Sequence, residues 1–129
     1  MDYKKSLEEI EKALLCLSEE NKETPIIVEG EKDISALKQL NIVGEILTSN
    51  TGSSLTDFCD KIASKYKKII ILTDWDRRGG YICHTIKKNL RGRVNCDISY
   101  RKLFAKNSMI RTIEGLPSWI DRLKDKLKM

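Results

Sequence analysis

Apolar positions along the chain follow two rhythms, helical and strand-like, that alternate from one end to the other. Leu7, Ile10, Leu14 and Leu17 recur at helical spacing while Glu8, Glu9, Glu11 and Lys12 take the other faces, which predicts an amphipathic helix over residues 3–20. Lys22-Glu23-Thr24-Pro25 ends it. The β-branched run Ile26-Ile27-Val28 then predicts a short strand buried on both sides, closed by Glu29-Gly30. Helical spacing returns from Glu31 to Leu40, and Ile42 to Leu47 reads as a second strand interrupted by Gly44 and Glu45. Thr48 to Ser54 is loop by composition, and Ser53 or Ser54 can cap the next helix, whose apolar face is Leu55, Phe58, Cys59, Ile62 and Ala63. Ile69-Ile70-Ile71-Leu72 is the strongest strand signal and ends in Thr73-Asp74-Trp75-Asp76. Two glycines then precede a helix from Tyr81 to Leu90, a fourth strand over Val94 to Tyr100, and a last helix over residues 113–127 that Pro117 interrupts early.

Strands alternating with helices of about ten residues predict an α/β fold, about four parallel strands with helices on both faces. Ligands of such sheets bind beyond the carboxyl ends of the strands, where the strand order reverses. No repeat, low-complexity tract or linker divides the 129 residues, so one domain is expected, with a core over about 22–100 between the terminal helices.

Composition narrows the class. Hydrophobic residues at 40% and charged residues at 33% exclude a disordered chain, and a net charge of +5 favours an anionic partner such as nucleic acid. Cys16, Cys59, Cys83 and Cys96 form no C-x-x-C pair, which excludes a zinc knuckle or a thioredoxin-type motif and leads us to expect reduced, mostly buried thiols. Acids throughout the first twenty residues exclude a secretory leader there, and no segment approaches the ~20 apolar residues of a membrane span. A cytoplasmic protein with no membrane contact is the expectation.

The chemistry lies in the acids at the strand ends. Glu29 ends the first strand while Asp74 and Asp76 end the third, and a sheet of order 2-1-3-4 would bring these ends together at the switch point. Gathered carboxylates repel one another, and a hard divalent cation with oxygen ligands, Mg²⁺ above all, is the usual compensation. Mg²⁺ also accepts phosphate oxygens, which points to phosphate esters. Gly30 and Gly79 beside these acids allow close backbone approach.

Val28-Glu29-Gly30-Glu31-Lys32-Asp33, followed some way on by Leu72-Thr73-Asp74-Trp75-Asp76-Arg77-Arg78-Gly79, resembles the two signature motifs of the Toprim domain, in the right order and each at the end of an apolar strand. That domain is shared by type IA and type II topoisomerases, bacterial primases, overcoming-lysogenization-defect nucleases and the nuclease that matures bacterial 5S ribosomal RNA. The whole chain is similar to the small stand-alone Toprim proteins of archaea and some bacteria. The resemblance implies a Rossmann-like Toprim fold, Glu29 as general acid or base or metal ligand, and Asp74 and Asp76 as ligands of one or two Mg²⁺ ions, with Mn²⁺ able to substitute. It also implies that Asp33 positions the site and that Gly30 and Gly79 are turn glycines. Glu31 either adds a carboxylate or faces solvent.

The larger relatives' other parts have no counterpart here: no motif around Tyr3, Tyr66, Tyr81 or Tyr100 suggests a nucleophile. What the resemblance carries is metal-dependent phosphodiester chemistry, a nuclease first, with RNA slightly favoured over DNA. The alternative is a non-catalytic module that binds metal and nucleic acid for a protein partner, and a homodimer is equally open. Haloacid-dehalogenase-type phosphatases also use Asp-x-Asp after a strand, but there the motif opens the fold and precedes Thr, whereas Asp76 precedes Arg77 in mid-chain. Lys32, Arg77 and Arg78 adjoin the acids and are the candidate phosphate contacts. Lys87 and Arg91 share a helix face that either tracks a phosphate backbone or is simply solvated. Trp75 either stacks on a base or packs on a helix. His84 and the Arg111-Thr112-Ile113-Glu114 helix start are assigned no chemistry.

Overall fold

The computed structural model describes residues 1–128. Four strands, β1 (Ile26–Val28), β2 (Ile46–Thr48), β3 (Lys68–Ile71) and β4 (Asn95–Asp97), form one parallel sheet of order β2-β1-β3-β4. Ile26 pairs with Ile70 and Ile27 with Ile71 at its centre. Among the described residues there are six helices: α1 (Tyr3–Glu20), α2 (Glu31–Gln39), α3 (Leu55–Lys65), α4 (Arg77–Leu90), α5 (Ser99–Asn107) and α6 (Leu116–Leu127).

Successive side chains of a strand point to opposite faces, and the central strands feed two cores accordingly. Ile26, Val28, Ile70 and Leu72 pack with α1, α2, α5 and α6, while Ile27, Ile69 and Ile71 pack with α3 and α4. Burial on both sides is why these strands are unbroken apolar runs. From β1 the chain crosses by α2 to β2, and from β3 it crosses the other way by α4 to β4. Crossovers of one hand in opposite directions put α2 and α4 on opposite faces. The carboxyl ends of β1 and β3 therefore lie side by side where the order reverses, as the sequence predicts.

Four boundaries differ from expectation. The second strand starts at Ile46 rather than Ile42 because residues 41–45 are a turn tied to the end of α1. There Asn41 has a left-handed φ of 66°, and the Asn21 side-chain amide donates to the carbonyls of Thr24 and Glu45. The fourth strand stops at Asp97, whose carboxylate accepts from both the N–H and the hydroxyl of Ser99. That turn starts α5, a helix not expected from the sequence; its Tyr100, expected as the end of the strand, and Phe104 are buried one helical turn apart. Helix α4 begins at Arg77, four residues before Tyr81, so Gly79 lies in its first turn. Helix α6 begins at Leu116 with Pro117 in its first turn, where the missing N–H costs no helical bond, so the proline opens the helix and does not interrupt it.

Smaller expectations hold. Ser54 caps α3 by accepting the Asp57 N–H at 3.1 Å. On α6, Trp119, Ile120 and Leu123 are buried in the core shared with α1, α2 and α5, a packing for which the sequence left the domain itself or a second subunit open. Of the four free thiols Cys59 and Cys83 are buried, Cys96 is half-buried and Cys16 is exposed, so the expected burial holds for only part of the set. No helix among the described residues is long and apolar enough to cross a membrane.

Candidate functional site

Glu29 and Asp74 leave the two central strands at neighbouring positions, and the chain joins them directly: Glu29 Oε2 accepts the Asp74 N–H at 2.9 Å. The Glu29 side chain is 17% exposed, and its other oxygen faces the Arg78 Nε at 4.0 Å. Asp74 is half-buried, and its Oδ1 accepts the Ile113 N–H at 2.9 Å. Burial is the largest force on this carboxyl and raises its pKa. The Ile113 bond opposes that, the charges of Asp33, Glu29 and Asp76 add to it, and the net effect is a pKa pushed up to about 7. The acids thus meet in their electrostatics.

Asp76 is turned differently. Its Oδ1 accepts the Gly79 N–H at 2.7 Å and caps α4. Asp33 is buried at the third position of α2 and accepts the Gly30 N–H at 3.1 Å, half of a capping box whose other half glycine cannot supply. Burial raises its pKa; the Gly30 and Glu29 N–H groups oppose this, and the Glu114 charge adds to it.

The two glycines part company. A Cβ on Gly79 would lie 1.8 Å from the Asp74 carbonyl oxygen, so only glycine lets α4 start this close to the β3 turn. At Gly30 nothing lies within 4 Å of the same point, and its backbone is extended, with φ −153° and ψ 179°. The expected close approach at Gly30 is therefore absent, and the space beside it is open.

Glu29, Gly30, Glu31, Lys32, Asp33, Asp74 and Arg78 line a single cleft of about 600 Å³, joined by Ser49, Asn50, Leu55, Tyr81, Ile82 and Glu114. Arg77 is exposed, and Arg77, Asp76 and Gly79 lie outside this lining. A larger cavity of about 730 Å³ flanks β2 but holds none of the strand-end acids Glu29, Asp74 and Asp76, and the chemistry argues for the smaller one. Trp75 takes the packing alternative: its ring lies 5.8 Å from Phe104 and its Nε1–H donates to the Ile110 carbonyl at 2.6 Å. His84 is exposed on α4.

Arg101 and Glu114 are contributors that the sequence reading did not single out. The Arg101 guanidinium donates to the Thr73 carbonyl at 3.1 Å and to the Asp74 carbonyl at 2.8 Å, clamping the turn that carries the acids. It belongs to α5, which follows the expected strand end at Tyr100 and carries no expectation from the sequence, so its direction was hidden. Glu114 was visible only as a helix-start acid, with nothing in its spacing to bring it near Asp33.

Each of Glu29, Asp74 and Asp76 has one oxygen held by a backbone N–H, leaving Glu29 Oε1, Asp74 Oδ2 and Asp76 Oδ2 without hydrogen bonds among the described residues. Hard, mutually repelling oxygen donors fit a divalent cation. Among the described residues no three acids, histidines or cysteines form a group placed to hold a metal ion, so an ion here would be held by fewer protein ligands and by water. The expected convergence of three acids is partial, because each is also used to fix the local chain.

Fold and site together define a Rossmann-like α/β protein with an acidic rim at the switch point of its sheet. The Toprim domain model matches residues 24–106, and the chain belongs to that family. It is 39% identical to a UPF0292 protein of Thermoplasma volcanium over 82% of this chain and 90% of that one. It is 37% identical to a UPF0292 protein of Methanocaldococcus jannaschii over 93% of each chain. A solved protein structure from Aquifex aeolicus superposes with a TM-score of 0.69 at 27% identity, covering 80% of this chain and 94% of that one. Membership associates the chain with metal-dependent work on nucleic acid and, as is typical of Toprim domains, with Mg²⁺.

Proposed function

We propose that the protein is a Mg²⁺-dependent nuclease, acting on RNA in preference to DNA. The observation that carries this reading is Asp74: a half-buried carboxyl at the switch point, pushed up to about 7 by burial and three neighbouring acids, with one oxygen left unbonded. Such a group is unfavourable as an isolated anion and gains from a cation.

Glu29, Asp74 and Asp76 would hold one or two Mg²⁺ ions, and Mn²⁺ fits the same oxygen donors. When bound, the metal lowers the pKa of a water and neutralises charge on the phosphate. The chain's own groups do the rest. Glu29 Oε1, beside Arg78, would take the proton of the attacking water where Asp74 and Asp76 alone hold the ion. Arg78 and Lys32 at the cleft, and Arg77 at its approach, bind phosphate oxygens and orient the ester. Asp33 fixes the Gly30 turn that follows Glu29, and Gly79 lets α4 start against the β3 turn.

The absence of a three-acid group placed to hold a metal ion among the described residues favours a second reading, a binding module that holds metal and nucleic acid for a partner protein or in a homodimer. Cleavage of end-labelled structured RNA and duplex DNA by the protein and by Asp74→Asn, each with Mg²⁺, Mn²⁺ or EDTA, separates the two. The nuclease reading expects metal-dependent cutting that the variant loses. No cutting by either protein, with metal still bound by the unmodified one, supports the module.

A further inference from the structure

The cleft has a wall that phosphate chemistry does not require. Leu55 at the start of α3 and Tyr81 and Ile82 on α4 line the same cleft as Glu29 and Asp74; Leu55 and Ile82 also pack on the α3–α4 core, whereas Tyr81 does not. Arg78 and Tyr81 are three residues apart on α4, so a cation and an aromatic ring share one face of the helix beside Glu29 and Asp74.

Tyr81 has no structural occupation to explain it. The Tyr3 hydroxyl contacts the Met109 sulfur and its ring lies under Lys126. The Tyr66 hydroxyl donates to Glu45, and Tyr100 is buried. Tyr81 is 68% exposed, belongs to neither core cluster, and its hydroxyl has no hydrogen-bond partner among the described residues. An exposed ring lining the same cleft as Glu29, Asp74 and the Arg78 guanidinium matches what a nucleotide presents: a flat base, and a phosphate for the cation and the metal.

We propose that Tyr81 is a stacking platform for an unpaired nucleobase, so that the site takes single-stranded or frayed nucleic acid rather than closed duplex. This rests on the reading of the cleft as a phosphodiester site and names its substrate class. In a duplex every base is already stacked and its face is not available to the ring. In a single strand the base lies on Tyr81 while its phosphate reaches Arg78 and the acids. The open space beside Gly30 gives the strand room to pass.

The test is binding in Ca²⁺, read by fluorescence anisotropy, of labelled oligo(U) and oligo(dT) of about 12 nucleotides. The same lengths are also presented as duplex and as an abasic sugar-phosphate chain. The protein, Tyr81→Phe and Tyr81→Ala are compared, and unchanged melting temperatures show that the exposed position tolerates each change. The protein and Tyr81→Phe are expected to favour the single strands over both duplex and abasic chain, on the order of ten-fold. Tyr81→Ala is expected to lose that preference while binding the abasic chain as the parent does. If Tyr81→Ala keeps the full preference, or the parent binds duplex as tightly as single strand, the stacking assignment is overturned. Metal-dependent cutting lost in Asp74→Asn would still stand in that case, whereas a protein that neither binds nor cuts any of these nucleic acids overturns both readings.

Discussion

The two strand ends that meet at the switch point are built in opposite ways. At the end of β1, the turn from Glu29 to Asp33 closes on itself: the Asp33 carboxylate accepts the Gly30 N–H, and the Asp33 N–H donates to the Gly30 carbonyl at 3.1 Å. At the end of β3, the turn from Thr73 to Gly79 is held from a distance as well as locally. The Thr73 hydroxyl donates to the Gly79 carbonyl at 2.8 Å, but Arg101 clamps two carbonyls, the Ile113 N–H holds Asp74, and Trp75 is bonded at both its backbone and its ring to residues 110–111. Residues 110–114 lie outside the span matched to the Toprim family, 24–106. The β1 turn is closed by its own motif while the Glu29 carboxylate is held by the Asp74 N–H, and the Asp74 carboxylate is held by a segment beyond the motif.

The sharpest way to break the comparison is to add one methyl group to each glycine. Gly79→Ala puts a Cβ against backbone at 1.8 Å, with no flexible side chain to yield, and is expected to destabilise by about 3 kcal/mol or more in urea unfolding. Gly30→Ala meets nothing within 4 Å and should stay within about 0.5 kcal/mol. Equal costs would mean that the β3 turn is no tighter than the β1 turn.

Next in size is Arg101→Met, which keeps the stem but leaves the Thr73 and Asp74 carbonyls without their charged donor, a loss of about 2 kcal/mol. Mg²⁺ affinity, measured by calorimetry, should fall with it, because freeing the Asp74 main chain loosens both Asp74 and the N–H that holds Glu29 Oε2. An unaltered affinity would show that the β3 end holds itself. Asp33→Ala is the matching change at the β1 end. It removes a cap interaction at the start of α2, at about 1 kcal/mol by thermal melting, and leaves the Arg101 clamp untouched.

The same division explains what could be read from the chain. The central strands were legible because residues buried on both faces must be apolar, and the parallel sheet follows from the alternation of strands and helices, while its order was a condition that the structure supplies. The acids were legible because their motifs are local and end those strands. Arg101 was not, since Ile98 and Tyr100 mimic a strand's alternation until the Asp97 side chain turns the chain into α5. Nor was the role of Ile113, which acts through its backbone N–H, a group every residue but proline carries. Gly30 and Gly79 look alike in sequence, and only the neighbouring carbonyl distinguishes them.

The smallest expected effect tests whether the two ends share one electrostatic site. The Asp74 pKa rises from an ordinary 3.8 to about 7 on folding, mainly through burial, with the nearby acids adding to it. Between those values the folded chain keeps a proton that the unfolded chain has released, so this group's contribution to stability falls as pH rises through the window and is lowest above about 7. Asp74→Asn has no charge to form. Its melting temperature relative to the parent should be near level at pH 4 and climb toward pH 8, an advantage below about 1 kcal/mol once the screening of a half-exposed group is allowed for. Mg²⁺ should erase the advantage by stabilising the parent alone. A difference that ignores pH would mean that the Asp74 carboxyl is solvated like any surface acid, and that the two strand ends lie side by side without acting as one site.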